Sequence, residues 1–227
     1  MINFSKIIIL KKNFSYIIII SLFSFFINFY YSRLGSFPID TFLHYDSASR
    51  ILKGELPVRD YWIVSGLIVD FIQSLFFKIF GINWFAYILH SSLFNLIISL
   101  FIYYFFLSLS LSKHKALIFS ISFATLSYTI SGTPFVDLHA TYFLLLSTLL
   151  IFNNINTKKN YIWFIIIGLF FLSFLSKQVP AAYAVLLQGI ILTYFFVQKK
   201  KMNIFKIIFL SSAFFLLLFI FILIYLK

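Results

Sequence analysis

Apolar runs close to the roughly 20 residues that a helix needs to cross a hydrocarbon core about 30 Å thick recur along this chain. Phe14 to Tyr31, Phe85 to Leu111, Ala181 to Val197 and Asn203 to Leu226 contain no acidic residue, and short lysine clusters separate several of the runs. A water-soluble domain cannot hide so much apolar side chain, whereas a lipid-embedded one has no need to. With 62% hydrophobic and 11% charged residues, 34 of them Phe and 14 Tyr in 227 positions, the chain reads as an all-α polytopic membrane protein.

The formal charge of +12 does not imply nucleic acid. The lysines lie between apolar runs, where a topology signal or anionic headgroups account for them. No zinc spacing, glycine-rich nucleotide loop or separate basic domain accompanies them, so no nucleic acid is expected as a partner. The absence of cysteine removes both a disulfide framework and a thiol nucleophile.

Charge placement orders the spans. Lys6, Lys11 and Lys12 precede the first run, which is too long for a signal-peptide core and lacks a small-residue cleavage pattern after it. A retained first helix with a cytoplasmic N-terminus follows. Tyr61 to Phe80 is long enough to span but contains Asp70, Gln73 and Lys78, which are costly near mid-membrane. If it stays outside as a re-entrant or interfacial helix, Lys113/Lys115, Lys158/Lys159 and Lys199/Lys200/Lys201 all face the cytoplasm. If it spans, all three clusters move outside, against the positive-inside rule. The expected architecture is therefore a bundle of about seven spanning helices, in a cytoplasmic (inner) membrane, with a long first outer loop carrying interfacial helices.

That first loop, Gly35 to Phe85, holds five of the acids, Asp40, Asp46, Glu55, Asp60 and Asp70; the sixth, Asp137, follows in a second outer link, Thr133 to His139. Asp40 to Leu52 is expected to be a short helix, capped by Asp40 or Thr41 and limited by Gly54 and Pro57. Phe42, Tyr45, Ser49 and Leu52 give it a partly apolar face, and Asp40, His44 and Ser47 form a neighbouring stripe. Asp40 can take a proton from a hydroxyl, coordinate a divalent cation that holds a phosphate, or simply cap the helix. Asp137 and His139 can complete an acidic pocket with it or form an ordinary solvated turn. Arg59 with Asp60, and Lys177 with Gln178, can compensate a phosphate's developing charge or snorkel to headgroups. Asp46 and Arg50 are spaced for an i,i+4 pair.

Two stretches, IDTFLHYDSASRILKGELPVRDYW and SGLIVDFIQSLFFKIFGINWFAYILH, resemble the membrane-embedded glycosyltransferases of the protein mannosyltransferase and aminoarabinose transferase superfamily. Asp40, Ala48, Gly54, Pro57, Asp60 and Gly81 match that family's layout, GTPFVDLH resembles its second acidic loop through Asp137, and SKQVP a later outer motif through Lys177. Thr41 stands where the family carries a Glu after the first Asp, which leaves a metal unassigned. The resemblance implies a GT-C-like bundle and a polyprenyl-phosphate-linked sugar donor whose lipid lies between helices. It further implies transfer to a glycan, lipid or protein acceptor at the periplasmic or extracellular face. Catalytic roles would fall to Asp40 and Asp137, and substrate contacts to His44, Arg59, Asp60, His139, Lys177 and Gln178. The chain covers the front half of a typical member, so residues 1–227 are expected to form one membrane-embedded domain, incomplete at its C-terminus. Two rival readings are a transporter or flippase of a lipid-linked or polar substrate, which would need a polar path across several helices, and a non-catalytic fragment or partner subunit.

Overall fold

The computed structural model describes residues 13–35, 38–63, 65–128, 131–155, 160–198 and 202–226. Among them stand nine α-helices and no strand: α1 Phe14–Tyr31, α2 Pro38–Leu52, α3 Leu67–Phe80, α4 Trp84–Ser108, α5 Lys113–Leu126, α6 Val136–Asn154, α7 Asn160–Ser176, α8 Gln178–Gln198 and α9 Met202–Tyr225. Five of these, α1, α4, α6, α8 and α9, are long and apolar enough to cross a membrane, as expected of a multi-pass helical membrane protein. Two further helices at expected spans fall short of that length: α7 has 17 residues and α5 has 14. At 1.5 Å per residue α5 rises only about 21 Å. The lysines at 6, 11, 12, 158, 159 and 199 to 201 lie outside the described residues.

Two compact units share the chain. The first combines residues 1–38 with 83–133, and the second residues 39–82 with 134–227. In the first unit, α1, α4 and α5 pack pairwise, with Ser24, Asn28, Ser91, Ser92, Asn95, Ser99 and Ser120 among the polar residues turned inward. Ile20, Ser24 and Asn28 are the buried stripe of α1, four residues apart, while Leu22 and Phe26 are exposed. Lipid supplies no hydrogen bonds, so serine and asparagine serve as interhelical ties rather than as a wet face. Asn28 Nδ2 donates to Ser91 Oγ at 3.1 Å and Ser92 Oγ at 3.0 Å. Asn95 Nδ2 donates to the carbonyls of Ser24 at 2.9 Å and Ala124 at 3.1 Å, and thus joins all three helices. The Gly132 carbonyl accepts from Asn28, Ser32 and Ser91. Asn83 caps α4 by accepting the Ala86 N–H at 2.8 Å.

The second unit is built on α6 and α7, which pack along their lengths, with α8 and α9 laid against them. Leu144, Ile151, Trp163, Ile166, Phe170, Leu192, Phe196 and Ile204 form its buried core. Ser173 Oγ donates to the Ala140 carbonyl at 2.8 Å and Gln188 Nε2 to Thr148 Oγ1 at 3.0 Å, fixing α7 and α8 to α6. Pro180 sits in the first turn of α8, where its missing N–H costs no helix bond.

Tyr61 to Phe80 does not form one continuous helix. Only Leu67–Phe80 is helical, because Gly66 adopts a left-handed conformation at φ +91° immediately before it. At 14 residues, α3 is shorter than a crossing requires. It buries Asp70, Gln73 and Ser74 together with Val69 and Phe77, and exposes Leu75, Lys78 and Ile79.

Gly132 tests the tight α1 contact. Its φ is +69° and an added Cβ would lie 2.8 Å from the Ser32 Cα. Gly132→Ala is expected to lose roughly 1–3 kcal/mol of stability. Gly189→Ala, whose Cβ meets nothing within 4 Å, should hold or slightly raise the thermal unfolding midpoint in lipid nanodiscs, because alanine favours a helix interior over glycine.

Candidate functional site

Helix α2 begins at Pro38, two residues before the expected start, so Asp40 lies in the first turn rather than at the cap. A carboxylate there still gains from the helix dipole. Asp40 is exposed, while Thr41, His44, Ser47 and Ala48 form the buried stripe and Phe42 points out. Of the expected polar stripe, His44 and Ser47 pack while Asp40 stays out; of the apolar face, Phe42 is exposed and Tyr45 packs against Phe77.

His44 does not pair with Asp40. Its Nδ1 lies 2.7 Å from Oδ1 of Asp70, and the two side chains are 3% and 0% exposed. One turn along α2, Ser47 Oγ lies 2.8 Å from the Tyr61 hydroxyl, which also donates to the Ser47 carbonyl at 3.2 Å. Burial pushes the Asp70 carboxyl up, with the His44 hydrogen bond pulling against it. Desolvation likewise raises the Tyr61 phenol to about 12. Removing one partner from a buried hydrogen-bonded pair of this kind typically costs about 1–3 kcal/mol, because the other polar group is left unsatisfied.

Gly66 explains how the elements can come this close. A Cβ on it would stand 2.7 Å from His44 Cε1 and 2.5 Å from Val136 Cγ1. The backbone before α3 therefore lies between the imidazole of α2 and the first residue of α6, next to Asp137.

Asp137 lies in the first turn of α6 and Lys177 between α7 and α8. The Lys177 ammonium is 2.8 Å from Asp137, so the structure brings the second acidic loop and the SKQVP motif together. At 35% and 41% exposure this pair is worth about 0–1 kcal/mol. A competing anion can exchange into it. His139 lies two positions on, about 200° around the helix, and faces the core, where its Nδ1 hydrogen-bonds the Phe135 carbonyl at 3.0 Å. It is fully buried and within electrostatic reach of His44. Asp137 and His139 thus do not share a face. Gln178, the first residue of α8, is exposed.

Between α2 and α3 the chain makes a compact turn. Arg59 donates to Asp60 through Nε at 2.9 Å and Nη2 at 2.7 Å, and Asp60 also accepts the Leu56 N–H at 2.7 Å. These donors hold the Asp60 carboxyl down at about 2. The turn carries Val58 at φ +74°, a strained setting for a β-branched residue. Arg50 bridges Asp46 at 2.7 Å and Glu55 at 3.1 Å, the first of these being the expected i,i+4 pair.

Among the described residues no group of three His, Asp or Glu side chains is placed to hold a metal ion. A divalent cation at Asp40 would therefore find no ready set of co-ligands. A cavity of about 550 Å³ opens between α7, α8 and α9, lined by residues such as Phe170, Phe174, Ala182, Leu186, Phe215 and Phe219. Two of its lining residues, Phe174 on α7 and Ala182 on α8, flank Lys177 in the sequence. No family model matches the chain, and neither a curated protein nor a solved structure does so.

Sequence reasoning missed the His44–Asp70 pair and the role of Gly66. A signal existed: an acid inside an apolar helix needs a buried partner, and His44 is a titratable residue on the packing stripe of the preceding helix.

Asp60 provides a direct check on the loop. Its folded value lies below the usual carboxylate range, so the stabilisation from its partners is complete above the unfolded value and is lost as pH falls through about 2. A carbon-detected NMR titration should centre near that value and move up toward the ordinary range in Arg59→Gln.

Proposed function

We propose that this chain transfers a sugar from a polyprenyl-phosphate-linked donor to an acceptor hydroxyl at the outer face of a cytoplasmic membrane, as the motif resemblance implies. One observation carries the reading: a partly exposed Lys177–Asp137 pair whose lysine sits in the turn joining α7 and α8, two of the three helices around the apolar cavity. An amphiphile with an anionic head and a long hydrocarbon tail matches both features. The cavity volume lies within the range of ordinary ligand pockets, and it has room for part of a polyprenyl chain.

In this mechanism the donor phosphate replaces Asp137 as the counterion of Lys177. Asp137 is then free to orient the acceptor. Asp40, exposed at the start of α2, takes the acceptor's proton as its oxygen attacks the anomeric carbon. The bond from that carbon to the phosphate oxygen breaks, polyprenyl phosphate leaves, and configuration inverts. Lys177 stabilises the charge that develops on the leaving phosphate.

The test is transfer from radiolabelled polyprenyl-phosphate sugars by the protein reconstituted in lipid, supplied with any missing portion of its chain. Asp40→Asn is expected to lose about 100-fold or more in rate, and Lys177→Ala about 100-fold, with unfolding midpoints near the parent's. Unchanged transfer by a folded Asp40→Asn variant would remove the base assignment.

A further inference from the structure

We infer that the His44–Asp70 pair, seated on Gly66, is a positioning device that fixes α2, and with it Asp40, against the start of α6. Three elements meet there. His44 follows Asp40 by one helical turn, so holding the imidazole holds the carboxylate within the same rigid helix. Asp70 follows Gly66 by one turn of α3, and its N–H donates to the Gly66 carbonyl at 2.9 Å. Val136, which immediately precedes Asp137, occupies the space that a Gly66 side chain would take.

The chemistry favours positioning over simple space filling. Asp70 is fully buried, and its Oδ2 has no hydrogen-bond partner among the described residues. His44 therefore supplies the short contact that makes a buried carboxylate tolerable. An apolar residue of similar volume would pack at lower desolvation cost but would accept no directional bond. What the pair adds is register: α2 has one orientation in which Nδ1 meets Oδ1. The Ser47–Tyr61 contact one turn later resists rotation about that point. Neither His44 nor Asp70 touches the reacting atoms in this account. The consequence for catalysis rests on the transferase reading, while the positional claim does not.

The cysteine-free chain allows a test that needs no activity. Nitroxide labels at Phe42→Cys on α2 and Val179→Cys on α8, both exposed positions, report the distance between these helices by pulsed electron resonance in nanodiscs. The parent should give one narrow distribution. Asp70→Asn keeps an acceptor for Nδ1–H and should leave it narrow, whereas Asp70→Leu, which keeps the branched outline but has no acceptor, should broaden or shift it. Gly66→Ala, whose Cβ would meet both His44 and Val136, should shift it as well and decides the matter if Asp70→Leu is not recovered folded. A distribution unchanged in folded Asp70→Leu, or in Gly66→Ala where that variant decides, would overturn the proposal. In the transfer assay the displaced variants are expected to lose roughly 100-fold in kcat at nearly constant KM. Displaced distances without any measurable transfer in the parent would instead count against the transferase reading alone.

Discussion

Hydrocarbon offers no hydrogen bonds, so a polar group carried into it must find its partner within the protein. Much of this structure follows from that condition. Helix α1 turns Ser24 and Asn28 inward and leaves phenylalanine and leucine outward. Helices α2 and α3, neither of them long enough to cross, also bury His44 and Ser47, and Asp70, Gln73 and Ser74, where burial in protein makes the same demand for a partner. Each such group would weaken a membrane helix standing alone, yet together they specify which helices meet and in what register.

The same condition separates two kinds of charge pair in the second unit. His44 and Asp70 are closed off from solvent, and breaking the contact leaves a buried polar group without its partner. Lys177 and Asp137 are partly open, and their attraction is weak enough for a phosphate to compete with it. A fixed pair suits positioning and an exchangeable one suits binding. Gly66 lets both belong to one arrangement, because only a residue without a side chain lets the strand of backbone before α3 lie against both α2 and α6.

Helical class and the approximate place of every long apolar segment were legible in the sequence, because apolar length and the intervening lysines are local signals. The Arg50–Asp46 pair was legible for the same reason, being one turn apart. The ends were less so. Tyr61 to Phe80 was read as a single segment, since nothing in its hydropathy announces the left-handed Gly66 that delays the helix to Leu67. Pairings between distant segments were harder still. His44 and Asp70 are 26 positions apart, and stripe periodicity suggested Asp40 as the carboxylate near His44. The Asn28 and Asn95 networks left only a trace, polar residues four apart in otherwise apolar runs, and their partners become identifiable only once α1, α4 and α5 are packed.

The account depends most on the α2–α3 loop and the α7–α8 turn opening onto the same side of the membrane. Single cysteines at Val58 and Val179, both well exposed, can be probed with a membrane-impermeant maleimide in sealed vesicles of known orientation. Labelling of both from the outer side, and of neither from the cytoplasmic side before permeabilisation, is the predicted result. Labelling of the two from opposite sides would contradict the shared outer face and the transfer chemistry built on it.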